Sequence, residues 1–106
     1  MNRIDKCFNE LKAANKKALI TFITSGDPDI ETTERAALEM FDQGADIIEL
    51  GVPFSDPVAE GVTIQKASLR ALQGGVNLDK IFRCVQNIRK SCDKPLLFEA
   101  ISFIRS

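Results

Sequence analysis

Ile4, Phe8 and Leu11 recur at helical spacing with polar residues between them, so the chain opens with an amphipathic helix that lays one stripe against something larger. After Lys16-Lys17 the period changes. Residues 18–24 (ALITFIT) are a compact run rich in β-formers, broken by Ser25-Gly26-Asp27-Pro28, and predict a strand. Asp29 is placed to cap a helix carrying Glu31, Ala37, Leu38, Met40 and Phe41, and Gly44 stands where a left-handed residue would end it. Residues 46–52 predict a second strand, apolar on both faces as a parallel strand covered by helices would be. Beyond the loop at 53–61, Ile64, Ala67, Ser68, Ala71 and Leu72 mark another helix, closed by Gly74-Gly75. Asn77 caps a further one with the stripe Ile81, Val85 and Ile88, and Arg89 and Lys90 complement the dipole at its C-terminus. Pro95 opens a last strand, from Leu96 to about Ile101.

The resulting order of helix, strand, helix, strand, helix, helix, strand predicts a parallel α/β architecture with right-handed crossovers. Three such strands leave two open edges and one uncovered sheet face. Closure into a barrel removes both defects, but a (β/α)8 barrel takes about 250 residues. A chain of 106 residues is therefore expected to form less than half of one. No internal repeat or low-complexity linker suggests another arrangement.

Composition narrows the function classes. The length fits one small domain over residues 1–106, and 44% hydrophobic and 27% charged residues with a net charge of −1 are ordinary for a globular protein. No Lys/Arg run exists, so neither nucleic acid nor a membrane surface is expected as a partner. No apolar stretch approaches the roughly 20 residues of a membrane span. The charged N-terminus lacks the apolar core of a signal peptide, so the expected location is cytoplasmic. Cys7, Cys84 and Cys92 fit no zinc spacing and read as buried or incidental thiols, and there is no histidine. Acid–base work must then fall to carboxylates, lysines or thiols, and no metal site is expected.

Glu49 is the most informative residue. On a strand it shares a face with Ile47 and Gly51, while Ile48 and Leu50 point the other way. A carboxylate near the C-terminal end of a parallel strand stands where α/β enzymes place catalytic groups, and burial there would raise its pKa toward neutrality. Spacing alone leaves open a structural Glu paired with a Lys or Arg. In Gly51-Val52-Pro53-Phe54-Ser55-Asp56-Pro57 two prolines remove backbone donors, so the strand is expected to bend away into a shaped contact loop. Glu60 closes that loop just before a helix, where a first-turn or capping Glu is the alternative to a functional one.

Three segments, Phe22-Ile-Thr-Ser-Gly-Asp-Pro28, Glu49-Leu-Gly-Val-Pro-Phe-Ser-Asp-Pro57, and Gly61 with Thr63-Ile-Gln65, resemble the N-terminal part of the tryptophan synthase alpha subunit family, from the first helix to about Leu97 or Phe98. The resemblance implies the N-terminal part of a TIM barrel, about three parallel strands with their helices. It implies a carbon–carbon lyase of tryptophan biosynthesis that cleaves indole-3-glycerol phosphate to indole and glyceraldehyde 3-phosphate. The expected partner is the beta subunit in an alpha2beta2-type complex. Pyridoxal phosphate belongs to that partner, and this chain is expected to carry no cofactor. By the same resemblance Glu49 matches the catalytic acid–base carboxylate, and Glu60 the second catalytic carboxylate, usually Asp, that polarises the indole N–H. Phe22 matches a residue lining the indole pocket; Pro53, Phe54, Asp56 and Pro57 match the loop that meets the beta subunit.

The chain departs from the family pattern in three places. Glu60 is one methylene longer than Asp, and Val62 replaces a common Pro. After Phe98 the family's Met or Thr, Tyr and Asn-Pro pattern gives way to residues 99–106 (EAISFIRS), which read as a shifted frame or truncation. The family's phosphate site lies on later loops. The 106-residue chain alone is accordingly expected to be inactive; the alternatives are a non-catalytic fragment retaining the beta-binding loop surface, or a degenerate product.

Overall fold

In the computed structural model, which describes residues 2–54 and 62–102, the elements are α1 (Arg3–Ala13), β1 (Ile20–Thr24), α2 (Ile30–Asp42), β2 (Ile47–Phe54), α3 (Val62–Gln73), α4 (Leu78–Arg89) and β3 (Leu96–Ser102). The three strands form one parallel sheet in the order β1-β2-β3. Element order and strand direction match the pattern expected from the sequence.

The helix boundaries follow from local chemistry. Asn2 Oδ1 accepts from Asp5 N at 2.8 Å, Asp29 Oδ1 from Thr32 N at 2.7 Å, and Asn77 Oδ1 from Lys80 N at 2.9 Å, each satisfying an orphan donor of a first turn. Gly44, after α2, has φ +117°, the left-handed conformation that lets the chain turn into β2. At the end of α4 the Arg89 guanidinium donates to the carbonyls of Cys92 and Lys94 and ties the turn that leads into β3.

Side-chain alternation divides the sheet. Ile48 and Leu50 of β2 face α2 and α4, where they are fully buried with Ala37, Phe41, Ala45, Cys84 and Ile88. Burying a side chain of that size contributes about 1.5–3 kcal/mol, so this cluster holds the unit together. Burial also pushes the Cys84 thiol up to about 11, in keeping with a packed rather than reactive cysteine. All three cysteines are free. The other face carries Ile20 and Phe22 of β1, Ile47 and Glu49 of β2, and Leu97 and Glu99 of β3. Ile47 is buried, but Ile20 is 47% exposed and Phe22 36%.

The two ends of the sheet are fastened differently. At the N-terminal ends of the strands, α1 is tied by Arg3 Nε to Asp93 at 2.7 Å and by the Cys7 thiol to the Asp46 carbonyl at 3.8 Å. Asp46 also accepts from the Leu19 amide at 2.8 Å, which sets the approach to β1. At the C-terminal ends α3 touches all three strands, and Arg70 grips Asp27 with two hydrogen bonds of 2.8 and 2.9 Å.

One expectation fails here. The prolines were expected to turn the chain out of the sheet after Val52, yet β2 continues through Pro53 and Phe54, opposite Ile101 and Ser102 of β3. The bonding pattern explains it. Odd-numbered residues of β2 bond toward β1, as in Ile47 N to the Leu19 carbonyl and Ser25 N to the Gly51 carbonyl, whereas Ile48 N bonds toward β3 at the Pro95 carbonyl. Pro53 therefore lacks its N–H on the β1 side, where that strand has already ended at Thr24, and the ladder to β3 loses nothing.

Candidate active site

The parallel register sets three side chains abreast on the face away from the helices: Phe22, Glu49 and Leu97. Glu49 is the third of the eight residues of the central strand, not near its C-terminal end as expected, because the strand runs on through Pro53 and Phe54; it is half-buried, between an aromatic ring and an aliphatic chain. Two residues further along, Glu99 of β3 lies opposite Gly51. Gly51 has no side chain to stand between them, and the carboxyl of Glu99 is the neighbour that acts most on that of Glu49. This neighbour raises the pKa of Glu49; burial and the negative charge of Glu99 add to it in that order.

The described structure gives Glu49 no Lys or Arg partner. Among the described residues the ion pairs are Arg3–Asp93 and Arg70–Asp27, and Glu49 belongs to neither. Its partner is another carboxyl, which favours the proton where a Lys or Arg would disfavour it. The raised pKa expected from burial is present in direction, but burial is the second cause and Glu99 the first. Glu99 was missing from the expected site residues. The available signal was its position two residues after Leu97, hence on the same face as that residue; what the sequence lacks is the register that sets β3 against β2.

The loop after β1 supports this end of the sheet. Gly26, at φ +85°, donates its N–H to the buried Thr33 hydroxyl at 2.9 Å. A Cβ at Gly26 would lie 2.6 Å from Val76, so the loop passes the α3–α4 connection more closely than any side chain permits. Ser25 is fully buried, and its hydroxyl has no hydrogen-bond partner among the described residues.

Of the other expected site residues, Pro53 is buried at the end of β2 and the backbone of Phe54 completes the strand opposite Ser102. Asp56, Pro57 and Glu60 lie outside the described residues. A cavity of about 300 Å³, lined by residues such as Asp29, Glu34, Lys80 and Asn87, lies on the helix side of the sheet, away from Glu49. Among the described residues no group of three or more His, Cys, Asp or Glu could hold a metal ion, and no helix is long and apolar enough to cross a membrane.

Comparison with known proteins addresses the same face of the sheet. A family model described as "Tryptophan synthase alpha chain" matches residues 8–101, past the Phe98 at which the resemblance was expected to stop. The chain is 58% identical over 98 residues to the tryptophan synthase alpha chain of Thermoanaerobacter pseudethanolicus, covering 92% of this chain and 37% of that one. It is 54% identical over 97 residues to that of Pelobacter propionicus, with 92% and 36% covered. It therefore spans little more than a third of the length of these curated relatives. Among solved structures, subunit alpha of tryptophan synthase from Legionella pneumophila superposes with a TM-score of 0.90 at 44% identity, over 94% of this chain and 38% of that one. A chain of the tryptophan synthase complex from Pyrococcus furiosus superposes at 0.74 with 41% identity, over 78% and 34%. With a sheet that overlays the first three strands of those barrels, and a sequence match running through all three, the chain belongs to the tryptophan synthase alpha chain family.

Proposed function

We propose that this chain supplies the acid–base wall of a site that cleaves indole-3-glycerol phosphate, with Glu49 as the group that moves the proton. The supporting observation is the placement of a carboxyl with a raised pKa beside Phe22, on the sheet face away from the helices. In its acid form Glu49 gives its proton to the ring carbon that bears the side chain. The bond from that carbon to the side chain then breaks as the adjacent hydroxyl loses its proton, leaving indole and glyceraldehyde 3-phosphate. Phe22 bounds the indole ring, and Glu60 accepts from the ring N–H. Because the chain spans 37% of the length of the Thermoanaerobacter pseudethanolicus relative, the reading is tested with the rest of that relative's chain supplied.

The test is a chimera in which residues 1–101 replace the matching segment of the Thermoanaerobacter pseudethanolicus alpha chain. It is expected to release indole, and Glu49→Gln to lower kcat by about 1000-fold, within the usual range for a lost general acid. A folded chimera indifferent to Glu49→Gln overturns the reading.

A second reading concerns assembly, and its support is the match to a chain of the Pyrococcus furiosus complex. Pro53, Phe54, Asp56 and Pro57 would form a surface for a beta subunit, which brings the pyridoxal phosphate. Both proteins would work in the cytoplasm. Calorimetric titration of the 106-residue chain with that subunit should show binding that Asp56→Ala weakens; no heat with the unmodified chain sinks this reading.

A further inference from the structure

Glu99 has no place in the proposed function, yet it stands on the same sheet face as the residue that carries it, one step along the neighbouring strand. We propose that Glu99 is a positioning residue for Glu49: across the β2–β3 ladder the two carboxyls share one hydrogen-bonded proton, which fixes the direction in which Glu49 presents its acid. The inference rests on the reading of Glu49 given above.

The geometry comes from the strands. Parallel pairing of Glu49 with Leu97 and of Gly51 with Glu99 puts both carboxyls on one face, offset by a single side-chain step. Without a side chain at Gly51, the space between them is open. Two ionised carboxylates placed side by side repel each other, and one proton held between them replaces that repulsion with a hydrogen bond. The raised pKa of Glu49 agrees with this.

The surroundings supply no competing charge among the described side chains. β1 turns Ile20, Phe22 and Thr24 to this face and β3 adds Leu97, none of them ionisable. Of the helix at this end of the sheet, α3, the described cations are Lys66 and Arg70, and Arg70 is held by Asp27. Helices α2 and α4 pack on the opposite side. Among the described residues, Glu99 is the charged group that acts on Glu49.

A shared proton gives the pair two macroscopic titration steps that belong to neither residue alone. A carbon-13 NMR titration of the glutamate carboxyls in the 106-residue chain tests this. The expected result is two separated steps, the upper one above the ordinary glutamate value of about 4.3. Glu99→Gln should collapse them to one step at or below that value, because an amide donor favours ionised Glu49. Glu99→Asp should keep two steps, set closer together. Glu99 is exposed, so neither substitution removes a packed side chain. A Glu49 midpoint unmoved by Glu99→Gln overturns the proposal.

The titration needs no turnover, which keeps the two readings separable. In the chimera, Glu99→Gln should move the alkaline limb of the kcat profile to lower pH with KM unchanged. A paired titration in a folded but inactive chimera would refute the lyase reading and leave the pair standing. An active chimera with an unmoved limb would do the reverse.

Discussion

The two faces of this sheet are built from the same strands and do different work. On the helix side, Ile48 and Leu50 meet Ala37, Phe41, Cys84 and Ile88 with no solvent left between them. On the other side, Ile20 and Phe22 remain partly exposed, and the carboxyls of Glu49 and Glu99 stand on neighbouring strands. Residues one position apart in β2 thus belong to separate regimes: Leu50 is fixed by packing, while Glu49 stands beside a second carboxyl that raises its pKa. A substitution on the helix side should be read in stability, and one on the open face in chemistry.

The contrast is broken most easily by truncating one side chain on each face. Leu50→Ala is expected to cost about 2–5 kcal/mol, the range for a large-to-small change in a closed core. Phe22→Ala, at a residue left 36% exposed, should cost less, about 1–2 kcal/mol in this chain. Urea denaturation followed by circular dichroism measures both. Equal losses would mean that the open face packs against something, in solution, that the sheet itself does not supply.

Gly26 tests the join between the two regimes, because its loop links β1 to α2 and bears on the α3–α4 connection. Gly26→Ala puts a methyl group into Val76 and strains a left-handed backbone, at an expected cost of about 1–3 kcal/mol. Because the Val76 Cβ is itself one of the clashing atoms, Gly26→Ala with Val76→Gly, compared with Val76→Gly alone, should recover the steric part and leave the backbone part. If Gly26→Ala costs as much beside Val76→Gly as in the unmodified chain, backbone conformation rather than close approach dictates the glycine.

The features legible in the sequence are those decided within a few residues. The caps at Asp29 and Asn77 and the left-handed turn at Gly44 each depend on a side chain meeting its own first turn, or on one backbone angle, and each stands where it was expected. The family resemblance implied roles for both Glu49 and Phe22, and the register sets the two residues side by side. What sequence could not supply depends on a second strand. Pro53 stays in β2 because β1 is already over, a fact about a different segment. Glu99 looked like an anomaly in a strand because its partner is about fifty residues earlier, as Glu49 and Glu99 show, and only the register joins them.

The smallest expected effect is the pH dependence of stability, and its sign separates the carboxyls of the open face from those of the rim. The folded chain raises the pKa of Glu49, so across the window above the unfolded value of about 4.3 the native state holds more protons than the unfolded one. Stability from this group therefore falls as pH rises through that window, and above the folded pKa the full penalty persists. Asp93, lowered chiefly by its hydrogen bond with Arg3, contributes oppositely: its stabilisation is present above its unfolded value and is lost as pH falls through the folded one. Glu49→Gln should thus melt higher than the unmodified chain at neutral pH and match it near pH 3, whereas Asp93→Asn should melt lower at neutral pH and converge at strongly acid pH. The difference between variant and unmodified melting curves isolates each group from the rest. Parallel curves for Glu49→Gln and the unmodified chain across pH 3–7 would mean that Glu49 titrates as an ordinary surface carboxyl, and the distinction between the faces would then rest on packing alone.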